Sequence, residues 1–465
     1  MTANESLNLS SQIKDLLKTD LLHAFYDDVP INQIEHQARE VMSGSRERIF
    51  TPSNIILTML LSATQEDKSL QNGLNNFKSV FEQRCKEIVK AEAEHLHQEQ
   101  IKDMELVKKP GRPKKYQTRL PKSYHNTLCE NTAGYSTARK KLDISVFQTI
   151  FDHSTEFGRL DKESWFGMKT YICDGTYLQL QDTKDIKIQY GVKGMETSYP
   201  QALLQVLIRQ GSGQISQFAI DSRGQSELFL VIDMIKKLER NSLLLVDDLY
   251  NTYYHFSLIL SQGCHIIVPG KRDRKYKVIR SINDNDQIVK ISKSKNRPDY
   301  VNNEEWKNIP ATITLRRITY TYPTKNGLQS AVLFTTIVDE KITASDIITK
   351  YAMRWDIELS IREIKTIMDI SVLRSKSCKM LLKELTIALT AYNLIRKIIA
   401  KTADKVGFSP QEDIFQEYSP FGRTILLDKK GRVFFKWSPG RYGHADGTNQ
   451  QASDTASKRE KKALS

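Results

Sequence analysis

The sequence predicts an α/β protein: a mixed sheet flanked by helices, preceded by a helical region and interrupted by a strand-rich insertion. Three observations carry this reading. Between residues 169 and 221, three runs of strand character (TYICDGTYLQLQD, ALLQVLIRQ, GQISQFAID) follow one another across turns. Helix and strand then alternate through SELFLVIDMIKKLER, SLLLVDD, TYYHFSLILSQG and CHIIVPG. Ahead of residue 131, leucine and isoleucine recur at helical rather than alternating spacing.

In chain order, residues 1–130 begin with Leu-Leu pairs at helical spacing in SQIKDLLKTDLLHAF. Thr51-Pro52 ahead of SNIILTMLL reads as a cap followed by proline at the first helical position. Over residues 79–106 lysine alternates with glutamate, the pattern of a long solvated helix. Residues 131–165 form a helical connection. The order βββαβαβ across residues 166–270 resembles a ribonuclease H-like core that still lacks its last helix. Residues 271–330 break in with polar, basic, strand-like pieces (VKISKS, ATITLRRITYTY). Residues 331–375 restore a strand at 331–339 and start a long helix near Ala344. Residues 376–437 are expected to be helical, with an amphipathic helix at 379–400, and the polar tail 438–465 is expected to be disordered.

The chain has 465 residues, and 69 Lys+Arg against 55 Asp+Glu leave a net charge of +14. That length suggests about three domains. With 39% hydrophobic and 27% charged residues, wholesale disorder is excluded. No run approaches the roughly 18 apolar residues that span a bilayer, and the N-terminus lacks the apolar core of a secretion signal. No membrane partner is therefore expected, and the expected location is cytoplasmic. Five dispersed cysteines without a CxxC pair argue against a disulfide scaffold and a cysteine-based zinc site.

The positive excess favours a polyanionic partner, because cations that neutralise phosphates release counterions. It is also clustered: residues 108–123 carry seven cations and no acid. Within the linker 108–116, Pro110-Gly111-Arg112-Pro113-Lys114-Lys115 resembles an AT-hook core. Proline and glycine keep such a segment extended, so Arg112 suits a narrow A·T minor groove while Lys114 and Lys115 meet phosphates. An exposed basic linker is the competing reading.

Three acids fall where elements end or present a face. Asp174 follows Tyr171-Ile172-Cys173, Asp247 ends the apolar run Leu243-Leu244-Leu245-Val246, and Glu358 lies in the late helix. At roughly 100° per residue, positions 351, 354, 358 and 365 of a continuous helix fall within about 60° of one another. Tyrosine, arginine, glutamate and lysine would thus share a stripe, separate from the apolar one of Met353, Ile357, Ile361 and Ile364.

Tyr351-x2-Arg354-x3-Glu358-x6-Lys365 is similar to the Y-x2-R-x3-E-x6-K signature of the insertion sequence 4 family of DDE transposases. Ala138-Arg139-Lys140-Lys141-Leu142, Asp174-Gly175-Thr176 and Ala391-Tyr392-Asn393-Leu394-Ile395 resemble further blocks of that family, in order, over residues 134–397. One departure is plain: the family's Asp-Arg-Gly-Tyr/Phe stands here as Asp247-Asp248-Leu249-Tyr250. Alignment favours Asp247 as the second acid, with Asp248 the alternative.

The resemblance implies a DNA transposase that binds terminal inverted repeats through residues 1–130, cuts the element out and joins it to target DNA. Asp174, Asp247 and Glu358 would be the catalytic acids and would hold two Mg²⁺ ions, for which Mn²⁺ should substitute. Tyr351, Arg354 and Lys365 would contact DNA beside the scissile bond, Arg354 being suited to two-pronged phosphate contact. Two ends must be paired, so a homodimer is implied. Some members pass through a hairpin intermediate, where Trp306 or the Tyr320/Tyr322 pair either stacks on an unpaired base or packs in a core. Two readings compete: a catalytically weakened or domesticated DNA-binding descendant, and a nuclease that cuts without joining.

Overall fold

The computed structural model describes residues 31–41, 50–65, 67–79, 132–158, 164–191, 199–270, 274–324, 327–406, 423–427 and 433–437. The linker 108–116 with Arg112, Lys114 and Lys115, nearly all of the charged stretch 79–106 and the tail 438–465 lie outside the described residues.

Helices α1 (Ile31–Val41) and α2 (Pro52–Ala63) come first. Thr51 caps α2 as its sequence foretold: its side chain accepts from the Asn54 amide, and Pro52 sits in the first turn, where a missing N–H costs nothing. Helices α3 (Ala133–Lys141) and α4 (Ile144–Ser154) follow, α4 capped by Asp143.

The sheet begins with β1 (Lys169–Gln179), β2 (Gln201–Arg209) and β3 (Ile215–Ser222), with a short helix α5 (Lys184–Tyr190) in the β1–β2 connection. Next come α6 (Glu227–Lys236), β4 (Ser242–Leu245), a 3₁₀ turn (Asp248–Tyr250), α7 (Tyr253–Ser261) and β5 (His265–Pro269). β1, β2 and β3 pair antiparallel as a meander, whereas β1–β4 and β4–β5 pair parallel. The insertion supplies β6 (Lys277–Asn283), β7 (Asp286–Ser292), α8 (Asn303–Asn308) and β8 (Thr312–Thr324). It is not set apart from the sheet. β9 (Gly327–Thr335) pairs with both β5 and β8, so among the described residues one nine-stranded sheet runs β3-β2-β1-β4-β5-β9-β8-β7-β6.

Side chains alternate across a strand, and the two faces bury separate cores. Ile172, Leu243, Leu245 and Ile267 face one core, shared with Ile55 and Leu60 of α2 and Ile150 of α4. Tyr171, Cys173, Leu244, Val246 and Ile266 face the other, under Val231 of α6 and Phe256 of α7. The fold is therefore three layers, with helices on both sides of a mixed sheet. Among the described residues no helix is long and apolar enough to cross a membrane.

The sequence reading needs correction in two places. The helix from Ala344 is not continuous: α9 (Ala344–Ala352) and α10 (Asp356–Ile367) are separated by a 3₁₀ turn (Met353–Trp355). On an unbroken helix the fully buried Ile347 and Ile357 would point about 80° apart, and three residues turning 120° rather than 100° reduce that to about 20°. The turn thus lets both helices bury one face, and it leaves Met353 37% exposed instead of in the apolar stripe. The C-terminal region is not wholly helical. α11 (Cys378–Val406) is followed by a two-stranded antiparallel hairpin, β10 (Arg423–Leu427) with β11 (Val433–Trp437). Trp306 is 8% exposed in the core beneath the Lys293 ammonium, in keeping with the core-packing alternative for this ring.

Candidate active site

Strand register brings the first two acids together. β1 and β4 run parallel with Ile172 opposite Leu245, and Asp174 and Asp247 each stand two residues further on. Equal parity sends both toward the face on which α10 buries Ile357 and Ile364. Asp248 has the opposite parity and is exposed. Asp247 is half-buried and accepts from the Leu249 amide at 2.9 Å, thereby capping the 3₁₀ turn that follows. The replacement of Arg-Gly by Asp248-Leu249 therefore leaves Asp247 anchored at the strand end.

Glu358 comes from α10, two residues after its first residue, with its side chain 45% exposed. Arg354, in the 3₁₀ turn, reaches it at 3.5 Å and is itself only 13% exposed. The same guanidinium lies over the Trp355 ring at 5.0 Å and bears electrostatically on Asp174 and Asp247. Tyr351, at the end of α9, donates its hydroxyl to the Val246 carbonyl at 3.1 Å. In this conformation it is directed at the strand end that carries Asp247 rather than outward to a phosphate. Lys365 is partly buried in the last turn of α10, and burial lowers its ammonium pKa.

The electrostatics are those of crowded acids. Burial pushes the Asp174 carboxyl above the usual range, and the charges of Asp247 and Glu358 add to it against the Gly175 amide and Arg354. Burial raises Asp247 likewise, with Asp248 adding to it. A further acid, absent from the sequence reading, joins them. Glu227, the first residue of α6, has its carboxyl raised by burial and by Asp174 and Asp247. It accepts from the Tyr250 hydroxyl at 3.3 Å and lies directly over Gly175. No spacing rule links position 227 to 174; the only sequence cue was a glycine beside the first acid.

Asp174, Asp247, Glu358 and Glu227 are hard oxygen donors, a donor set suited to Mg²⁺ or Mn²⁺, and Arg354 bears on the first three. As they stand, no three acidic, histidine or cysteine side chains among the described residues are gathered closely enough to grip one ion. A cation bound among these acids would offset the repulsion between their like charges.

Two strand-end acids and a helix-borne glutamate lie on either side of an insertion, and residues 165–394 match the transposase DDE domain family. The chain is 26% identical over 318 residues to the transposase InsG of insertion sequence element IS4 from Escherichia coli (strain K12), covering 65% of this chain and 68% of that one. Both matches support an insertion sequence 4-type DDE transposase. The structure of a piggyBac transposase synaptic complex with hairpin DNA shows a weak likeness, with a TM-score of 0.38 and 11% identity over 84% of this chain and 76% of that one.

Proposed function

We propose that the protein binds the terminal inverted repeats of an insertion sequence and carries out cation-dependent DNA strand cleavage and strand transfer by a cut-and-paste route. The observation that carries this reading is the β1–β4 register, which sets Asp174 beside Asp247 on the face covered by the helix of Glu358. The strand order β3-β2-β1-β4-β5 supports a ribonuclease H-like core formed by residues 166–270 and completed by 331–375, with 271–330 as its insertion.

Asp174, Asp247 and Glu358 are the catalytic acids and would hold two Mg²⁺ ions, Mn²⁺ substituting. Bound there, the ions supply activation of an attacking hydroxyl or water and stabilisation of the leaving oxygen. The side chains do the remainder. Arg354 shields the acids from one another and offers its guanidinium to a phosphate beside the scissile bond. Lys365 adds a second positive contact further along α10. Tyr351 fixes the strand end of Asp247 and borders the same DNA path.

Residues 1–130, with Arg112, Lys114 and Lys115 of the 108–116 linker, recognise the ends. Residues 131–165 connect them to the core, 376–437 follow the catalytic helix, and 438–465 form a tail. Pairing of two ends calls for a homodimer on DNA, in the nucleoid.

The test is incubation of end-containing DNA with Mg²⁺. Cleavage is expected, and Asp174→Ala and Glu358→Ala should abolish it while gel-shift binding persists. Binding without cleavage by the unmutated chain would instead establish the non-catalytic descendant, and cutting without joining would establish the nuclease.

A further inference from the structure

We infer that Glu227 is a fourth acid of the cation site, a positioning residue that reaches the strand ends from the opposite layer through the gap left by Gly175. The inference rests on the cation-binding reading above and adds to it a residue outside the three-acid signature.

The geometry begins with the absence of a side chain. Gly175 has the parity of Tyr171 and Cys173, so a side chain there would point to the layer of α6 and α7. A Cβ at Gly175 would come within 2.6 Å of the Glu227 carboxyl carbon and 2.7 and 2.9 Å of its oxygens. No ordinary contact is that close, so the carboxylate occupies the space that any other residue would fill. It is thereby held against the backbone of the residue next to Asp174.

A buried chain of hydrogen bonds holds it there. Tyr250, 1% exposed, donates to Glu227, and Tyr250 in turn receives a bond from the Gln205 amide. Gln205 is fully buried on β2, in register with Gly175, and also donates to the Cys173 sulfur at 3.3 Å. A tyrosine and a glutamine committed in the core to one half-buried carboxylate make little sense for a surface charge. A glutamate at a helix N-terminus does favour the helix dipole by a few tenths of a kcal/mol, but that role requires neither Gly175 nor Tyr250.

In the site, Glu227 adds negative charge beside Asp174 and Asp247 and orients the donors that meet the cation. Supporting partners of this kind typically govern metal affinity by about 10- to 100-fold.

The test uses the full-length, DNA-free chain titrated with Mn²⁺ alone, free Mn²⁺ being followed by electron paramagnetic resonance. Glu227→Gln is expected to weaken Mn²⁺ binding by about tenfold or more. Gly175→Ala keeps the charge at the helix N-terminus but expels the carboxylate, and it should weaken binding to a similar extent, with little further loss in the double variant. Unchanged Mn²⁺ affinity in either single variant overturns the inference. Asp174→Asn separates the two levels. Retained Mn²⁺ affinity in that variant defeats the cation-site reading itself, whereas its loss alongside an unaffected Glu227→Gln defeats only the role of Glu227.

Discussion

The Tyr351 hydroxyl donates to the carbonyl of Val246, 105 residues earlier in the chain and immediately before Asp247. This bond ties the helix pair that carries Glu358 to the strand that carries Asp247. Tyr351→Phe should therefore loosen the acids without unfolding the protein. The expected stability loss is about 1 kcal/mol. Cleavage of end-containing DNA should fall more than DNA binding does, as measured by single-turnover cleavage beside gel-shift titration.

A second tie runs from the insertion. Arg316 on β8 bonds Asp286 on β7 through two nitrogens, at 2.8 and 2.6 Å, and donates to the carbonyls of Asp339 and Ile342 ahead of α9. Both side chains are almost fully buried. Removing one partner strands a charge in the core, so Asp286→Ala should cost about 3–5 kcal/mol. The paired apolar replacement, Asp286→Leu with Arg316→Met, should recover much of this. Urea denaturation of the three variants reads the difference.

His255 supplies a pH dependence. It is fully buried, its Nδ1 meeting the Thr252 hydroxyl at 2.7 Å and its Nε2 the Leu228 carbonyl at 3.0 Å, which a neutral ring satisfies. Burial drops its pKa to about 4. The unfolded chain takes up a proton below about 6.5, so this contribution is complete above that value. Up to about 3 kcal/mol is lost as pH falls from 6.5 to 4. The raised carboxyls of Asp174, Asp247 and Glu227 act with the opposite sign. Comparison with His255→Gln isolates the histidine: the variant's urea midpoint should fall less between pH 7 and pH 5.

Asn393, in the Ala391-Tyr392-Asn393 block, holds both backbone groups of Ile215: its Oδ1 accepts from the amide at 2.8 Å and its Nδ2 donates to the carbonyl at 2.9 Å. Nδ2 also donates to Ser154 on α4. The block that resembled a family motif is here a clamp on the start of β3. Asn393→Leu should leave buried backbone unpaired and cost about 2–4 kcal/mol, lowering the thermal midpoint with no selective effect on metal binding.

The sequence by itself determined the strands that carry Asp174 and Asp247, the cap at Thr51-Pro52 and the glutamate helix. Each of these is written in neighbouring residues, as alternation, apolar runs, capping chemistry or fixed spacing. Tertiary structure alone decided the rest. The 3₁₀ turn at Met353–Trp355 answers to where the core lies beneath Ile347 and Ile357, which no local period encodes. The burial of Trp306 and the fusion of the insertion to β5 depend on pairings between strands far apart in sequence. Glu227 was invisible for the same reason. Its meeting with Gly175 across 52 residues is a contact between two layers of the fold, and such contacts are set by packing in three dimensions, not by the order of residues along the chain.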